Sequence, residues 1–342
     1  MSAVAAQARR RVLLGMGGAA LVSVVLAAIA LAPPSAPPVR REVGQLVAPD
    51  FAAKADAASV IKVSTSEESY SLVRGPAGWS EPEKGGYPVA TSRIVQLTHA
   101  ISGMTFAAPM TRDDKKFDRI GLGDPKRGGT GALVEIDDAS GAVLFRRLVG
   151  YRDGRSYIRE PDDLQAWAVN ADDMPPLQRG ARWLDLDIVE VDPKAIAEVE
   201  VRLAGRPAYR VTPDDASGAR FSLAPPYDRR PLAANFAPTL PGQALTHFLP
   251  LDVARAGSLR EPRLVADHVT RTRSGLVVTV HALKVGDQGW VTLSASAARD
   301  AAAGVAAEAE ALSRRADGWA FALGANDWSA YATPIEAIIE PR

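Results

Sequence analysis

IKVSTSEESYSLVR at residues 61–74 and VEVRLAGRPAYRVT at residues 199–212 are the stretches that decide the fold. In the first, Ile61 and Val63 alternate with polar residues. A polar turn at Ser66-Glu67-Glu68 then leads to Tyr70, Leu72 and Arg74, again in alternation. A period of two marks a half-buried strand, and two such runs around a short polar turn mark a β-hairpin. The second stretch repeats the pattern, with Tyr209 in the place of Tyr70. Further on, Leu97-Thr98-His99 recurs as Leu245-Thr246-His247, at an offset of 148 against 139 for the tyrosines. The closeness of the offsets predicts a weak tandem repeat. Two unrelated hairpins built from common residue types are the competing reading.

Outward from the first hairpin, Gly78-Trp79 closes the turn and a helix follows. Thr91 or Ser92 can cap it, Ile94, Leu97 and Ile101 form one stripe, and Gly103 supplies the stop. Residues 109–130 read as loop. Strands are expected at 132–136 and 143–149 around a turn at 138–141, and again at 156–159 and 165–169. Outward from the second hairpin, strands are expected at 268–272, 276–283 and 290–294, then a helix over 301–315. Thr333-Pro334-Ile335-Glu336 has the form of a capping box opening a helix to about residue 339. The expectation is an α+β chain of two hairpin-rich antiparallel units with packed helices, over residues 58–195 and 196–342.

Upstream, residues 12–32 (VLLGMGGAALVSVVLAAIALA) carry no charge. As a helix they would span about 31 Å, enough for a hydrocarbon core. Arg9, Arg10 and Arg11 precede them; Arg40 and Arg41 follow, offset by Glu42. That bias predicts residues 1–32 as a cytoplasmic N-terminus and single transmembrane helix, with the bulk of the chain outside the cytoplasm. A cleaved signal peptide ending at Ala28-Ile29-Ala30 is the alternative, although the apolar run is long for one. Pro33, Pro34, Pro37 and Pro38 begin a segment, 33–57, that reads as a stiff stalk.

Composition excludes some functions. Basic and acidic residues number 40 each, and the three arginines of residues 1–32 leave the remainder at a net charge of −3. A nucleic-acid binder would show a basic excess. There is no cysteine, so thiol and zinc-thiolate chemistry are out of reach.

Five groups of residues invite a chemical reading. Ser59-Val60-Ile61-Lys62 matches S-x-x-K, but reads as strand where that nucleophile needs a helix start, and neither S-D-N nor K-T-G follows. Gly121, Gly123, Gly128, Gly129 and Gly131 have neither phosphate-loop spacing, and Pro125 breaks the helix such a site needs; a flexible surface loop is expected. Asp185, Asp187, Glu190 and Asp192 suggest oxygen ligands for Ca²⁺, yet Glu190 stands where an EF-hand requires Gly, and interleaved apolar residues favour a half-buried strand. His99, His247, His268 and His281 lack zinc spacing. Trp79, Trp167, Trp183, Trp290, Trp319 and Trp328 could stack on sugars, but tryptophan more often anchors a core. No catalytic, cofactor-binding or metal-ligating residue is therefore assigned, and no cofactor is expected.

Residues 70–79 (YSLVRGPAGW), 119–125 (RIGLGDP), 148–169 (LVGYRDGRSYIREPDDLQAWAV) and 182–192 (RWLDLDIVEVD) resemble the DUF4340 family of bacterial envelope proteins. So do GLVVTV at 275–280, the AEAEALSRR and GWAF segments within 307–321, and TPIEAII at 333–339. The resemblance covers most of residues 59–342 in order. It implies a single-pass or exported accessory, and for some members a partnership with gliding-type ABC transport systems. It supplies no catalytic residues. The expected function is that of a membrane-anchored, non-enzymatic scaffold meeting the bilayer and an ABC transport complex. A glycan-binding protein or envelope hydrolase is the alternative. The second repeat has no counterpart of the loop at 121–125.

Overall fold

The structure, a computed structural model, describes residues 41–341; the expected transmembrane helix at 12–32 lies outside them. Among the described residues no helix is long and apolar enough to cross a membrane. Residues 43–342 form one compact unit, built on two antiparallel sheets with a few helices.

The first sheet takes β1 (Ala58–Ser64), β2 (Ser69–Gly75), β3 (Gly78–Glu81), β4 (Tyr87–Pro88), β5 (Thr105–Pro109), β6 (Ala132–Asp138), β7 (Val143–Arg152), β8 (Arg155–Arg159) and β9 (Trp167–Asn170). Its spatial order is β4-β3-β2-β1-β6-β7-β8-β9-β5. The second takes β10 (Ile196–Leu203), β11 (Tyr209–Pro213), β12 (Phe221–Leu223), β13 (Asp252–Arg255), β14 (Arg263–Thr272), β15 (Leu276–Val285), β16 (Gln288–Ala297) and β17 (Trp319–Leu323). Its order is β12-β11-β10-β14-β15-β16-β17-β13. Setting aside β4, the two orders are the same strand for strand.

The hairpins that opened the sequence reading form as expected, with Val63 opposite Tyr70 and Val201 opposite Tyr209. Each first strand carries an irregularity at its start, between Ala58 and Val60 in β1 and between Ile196 and Glu198 in β10. Both tyrosines are buried, and each hydroxyl donates to a carbonyl beyond the last strand of its own sheet: Tyr70 to Leu177 (2.9 Å), Tyr209 to Thr333 (2.8 Å). A phenol tethered at its far end fixes where the returning chain crosses the sheet.

Helices cover the sheets. Helix α1 (Phe51–Lys54) and helix α2 (Thr91–Ser102) pack on the first; Ile94, Leu97 and Ile101 are buried in its core, as their spacing predicted. The second carries α3 (Thr239–Gly242), α4 (Val305–Ala316) and α5 (Ala325–Tyr331).

Several expectations need correction. The described part of the stalk is not a free spacer. Gly44 and Val47 donate to the Phe106 and Met104 carbonyls, Phe51 is buried 6.0 Å from the Phe145 ring, and residues 51–54 are helical. The buried Val47 and Phe51 side chains hold residues 44–54 on the first sheet, while the prolines at 33–38 lie outside the described residues. Ala90, not Thr91 or Ser92, stands at the N-cap of α2. The capping box at Thr333 does not form: the Thr333 hydroxyl donates back to the Ser329 carbonyl, and only a 3-10 turn, Ile335–Ala337, follows. Residues 185–192 are irregular rather than strand, because they bridge the sheets instead of joining one.

That bridging makes the two halves share a core. Tyr87, from the first sheet, packs edge-on against Trp319 (4.8 Å) and Phe321 (6.2 Å) of the second. Leu184, Ile188 and Val191 enter the same cluster. Lys84 pairs with Asp252 at 2.7 Å, and the Arg255 guanidinium lies 3.7 Å over the Trp319 ring while donating to the Gly85 carbonyl.

Candidate functional site

Three places hold side chains that folding alone does not explain. The most developed lies where two of the family-like stretches, 119–125 and 148–169, meet on the first sheet.

Here the chain between β5 and β6 folds on itself. A 3-10 turn, Asp114–Ile120, ends at Gly121 with φ +71°, and a second, Pro125–Arg127, is capped by Asp124, whose carboxylate accepts the Lys126 N–H at 2.9 Å. The Asp118 carboxylate accepts the Thr130 N–H at 3.0 Å. A Cβ on Gly129 would collide with the Gly123–Asp124 backbone, and one on Gly150 would collide with the Gly121 carbonyl. The glycines are thus required by close backbone approach, and the segment expected to be a flexible surface loop is a packed one. The signal in the sequence was the spacing of several glycines within eleven residues, which fits backbone-on-backbone packing as well as flexibility.

Under this loop sits Arg159 of β8, 7% exposed. One guanidinium nitrogen, Nη1, donates to the carbonyls of Glu160, Pro161 and Asp163 at 2.9–3.0 Å. Its Cζ lies 4.6 Å over the Phe117 ring. Its Nε is buried without a hydrogen-bond partner. Burial pulls the guanidinium below its ordinary pKa, with Asp124 the first of the charges that oppose the fall. The side chain opens on a cavity of about 370 Å³ whose lining includes Lys115, Asp118, Asp124, Arg127 and Leu164. The second sheet has nothing equivalent, since only residues 256–262 connect β13 to β14.

The second place is an apolar groove of about 600 Å³ beside α3 and α5. Ala234, Phe236, Ala237, Leu240, Ala330 and Ala337 form its greasy wall, and Gln243, His247, Asn326 and Asp327 its polar rim. Phe236 is 73% exposed, and Leu249 and Leu251, on the chain leaving His247, are also exposed.

The third is a single carboxyl. Glu81 of β3 is 1% exposed, and its Oε2 has no partner. Gly180 packs against it so closely that no side chain fits there, and the Gly180 N–H is taken by Glu68. Burial pushes Glu81 up to about 7, opposed by Lys84 and assisted by Glu83, Glu68 and Asp252.

The residues weighed from sequence fall elsewhere. Lys62 on β1 is bound to Glu135 and Asp137 at 3.0 and 2.7 Å, which leaves no S-x-x-K pair. Asp192 caps the turn Pro193–Ala195, and among the described residues no three His, Asp or Glu side chains converge as metal ligands do. His99 lies on α2, and His247 lies past the end of α3 rather than on a helix. His281 contacts Asp267 at 2.6 Å. His268 is fully buried in β14, its Nε2–H donating to the Pro241 carbonyl at 2.9 Å, and burial pushes it down to about 4. Trp183 is fully buried and donates to the Tyr70 hydroxyl; Trp167 and Trp319 are core residues, and Trp79, Trp290 and Trp328 are half-buried. Sequence reasoning missed Arg159 and Glu81, because nothing in a lone charged residue on a strand shows whether it faces water or the interior.

A family model described as a domain of unknown function (DUF4340) matches residues 79–260, just over half of the chain. No curated protein and no solved structure matches it. The matched span contains the packed glycine loop, Arg159, Glu81 and the Phe236–Leu240 wall of the groove.

Proposed function

The chain belongs to the DUF4340 family, and from that premise we propose that it is a membrane-anchored, extracytoplasmic accessory that docks with an ABC transport complex in the same membrane. The observation that carries the reading is the apolar groove with Phe236, Leu240, Leu249 and Leu251 exposed at and beside it. An exposed apolar wall with a polar rim is what a protein partner covers. The uncharged run at 12–32 supports the anchor, and the arginines before it support a cytoplasmic N-terminus. Anchoring both partners in one bilayer raises their effective concentration, so a modest groove suffices for docking. The partnership with a transporter rests on the family resemblance, an analogy rather than a physical derivation.

We also infer that the two sheets arose by duplication. Their shared strand order, the paired irregularities at the starts of β1 and β10, and the two tethered tyrosines support this.

The anchor reading is tested by fusing, after Arg342, a reporter active only outside the cytoplasm. Activity together with a requirement for detergent in extraction is expected. An inactive reporter, or a chain that washes off the membrane freely, would contradict it. Removing residues 1–32 while redirecting the remainder for export is expected to weaken function far more than His99→Ala or His247→Ala.

A further inference from the structure

We propose that the cleft at one end of the first sheet, between the β7–β8 turn and residues 170–178, is a binding site for a sugar ring. It lies apart from the apolar groove and does not depend on the transporter reading.

The second sheet shows how the chain fills this position with a ring of its own. By register, Val134 of β6 and His268 of β14 are equivalent, since they stand opposite Val63 and Val201, the partners of the two tethered tyrosines. One strand further, Arg147 answers to Val280, and along the same strands Tyr151 answers to Lys284. Ser156 then answers to Gly289, and Val169 to Leu323. In the second sheet the indole of Trp328, on α5, packs on Gly289 so closely that a Cβ there would collide with it. Lys284 Nζ lies 4.2 Å over the ring, and the indole N–H donates to the Trp290 carbonyl at 3.2 Å. In the first sheet the chain leaving Val169 forms no helix before Leu177, and residues 170–178 contain no aromatic side chain. The position is left as a cleft of about 650 Å³, lined by Tyr151, Ser156, Val169 and this stretch. Sites for small molecules have this size, roughly 300–1,000 Å³.

The lining selects among ligands. Buried Val149, Val169 and Leu177 form an apolar floor, and Tyr151, also in the lining, is 67% exposed. Arg155, Asn170, Asp172, Asp173 and Gln178 complete the wall. Among the described residues their side chains make no hydrogen bond and no ion pair. The guanidinium and the amide N–H groups donate, while the carboxylates and the amide oxygens accept. A hydroxyl does both, so a ring carrying several hydroxyls can meet both kinds at once. An ion of either sign meets a like charge here, at Arg155 or at Asp172 and Asp173. A wholly apolar ring would use the floor and none of the five polar groups. A pyranose presents an apolar face to an aromatic such as Tyr151 and a rim of hydroxyls to the rest.

Two sources present this chemistry: a soluble saccharide, and the sugar chain of an envelope polymer. The test uses the full chain in a detergent without a sugar headgroup, titrated by calorimetry with cellotetraose, chitotetraose and maltotetraose. Saturable binding of at least one of them by about 10 mM is expected. Tyr151→Ala is expected to weaken it about tenfold or more, and Arg155→Ala and Asn170→Ala about threefold to tenfold each. All three are exposed and without partners, so the unfolding of the unliganded protein should not change. Met174 lies five residues beyond Val169, as Trp328 lies five beyond Leu323. Met174→Trp should therefore fill the cleft as the second sheet does and abolish binding. Co-sedimentation with purified wall polymer separates the sources. Sedimentation that is lost in Tyr151→Ala assigns the polymer; saccharide binding without sedimentation assigns the soluble sugar. Absence of saturable binding of all three saccharides, or binding indifferent to the four substitutions, would overturn the proposal. Binding of N-acetyltryptophanamide with none of the saccharides would overturn it in favour of an aromatic side chain from a protein partner.

Discussion

Single residues set how this fold responds to pH. Glu81 and His268 are both buried and both shifted by burial, in opposite directions on the pH axis. The Glu81 carboxyl, raised from 4.5 to about 7, holds a proton in the folded state that the unfolded chain has released. Its contribution is full below 4.5 and is lost as pH rises through 7. His268, lowered from 6.5 to about 4, is neutral in the folded state while the unfolded chain is charged. Its contribution is full above 6.5 and is lost as pH falls through 4. Each shift corresponds to up to roughly 3 kcal/mol, and between 4.5 and 6.5 the two slopes oppose each other. Glu81→Gln should therefore unmask the histidine. Denaturant unfolding of the variant is expected to gain stability relative to wild type as pH rises from 4.5 to 7; a constant difference across that range would contradict the account. Thr270 permits a second test. By register it stands on β14 opposite Val199, where β6 places Ile136 opposite Ile61, and its buried hydroxyl has no partner. Thr270→Val is expected to leave stability unchanged or raise it by about 1 kcal/mol, read from the urea midpoint. A clear loss would show that the hydroxyl is satisfied.

At the scale of elements, the hairpins, helix α2 and the long strands of the second sheet were legible because each signals itself within a dozen residues. Tyr70 and Tyr209 even marked equivalent positions. What was not legible depended on distant contacts. Strands β3, β4, β5, β12, β13 and β17 were not recognised as strands; β4 and β13 meet the other half of the molecule, and β5 is fixed partly by residues 44–47. Residues 185–192 alternate like a strand but have no strand to pair with. The candidate site was least legible of all: its glycines were visible, but that their backbones touch, and that Arg159 lies beneath them, follows only from the fold. The loop makes its own prediction. Gly129→Ala drives a methyl into the Gly123–Asp124 backbone, where no flexible side chain can yield. The expected cost exceeds about 2 kcal/mol in thermal unfolding, whereas Gly141→Ala, at an open turn with nothing near its Cβ but φ +84°, should cost about 1 kcal/mol. Equal effects would mean that the loop opens readily.

For the whole molecule, the two sheets resemble each other in strand order yet have diverged in what they carry. The first has the packed loop and the Arg159 cavity; the second has α4 and the apolar groove. The shared core around Tyr87 and Trp319 joins them, so the Arg159 cavity and the groove belong to one compact body. The central claim is that this body works by docking on a transporter in its own membrane. Its most direct measurement is photo-crosslinking in intact cells from a probe in place of Phe236, with a probe in place of the comparably exposed Tyr151 on the first sheet as control, and identification of the captured chains. Capture of a permease or auxiliary subunit of an ABC transport system from position 236 and not from 151 is predicted. Capture of no such subunit from position 236, together with hydrolysis of a wall polymer by the purified protein, would contradict it.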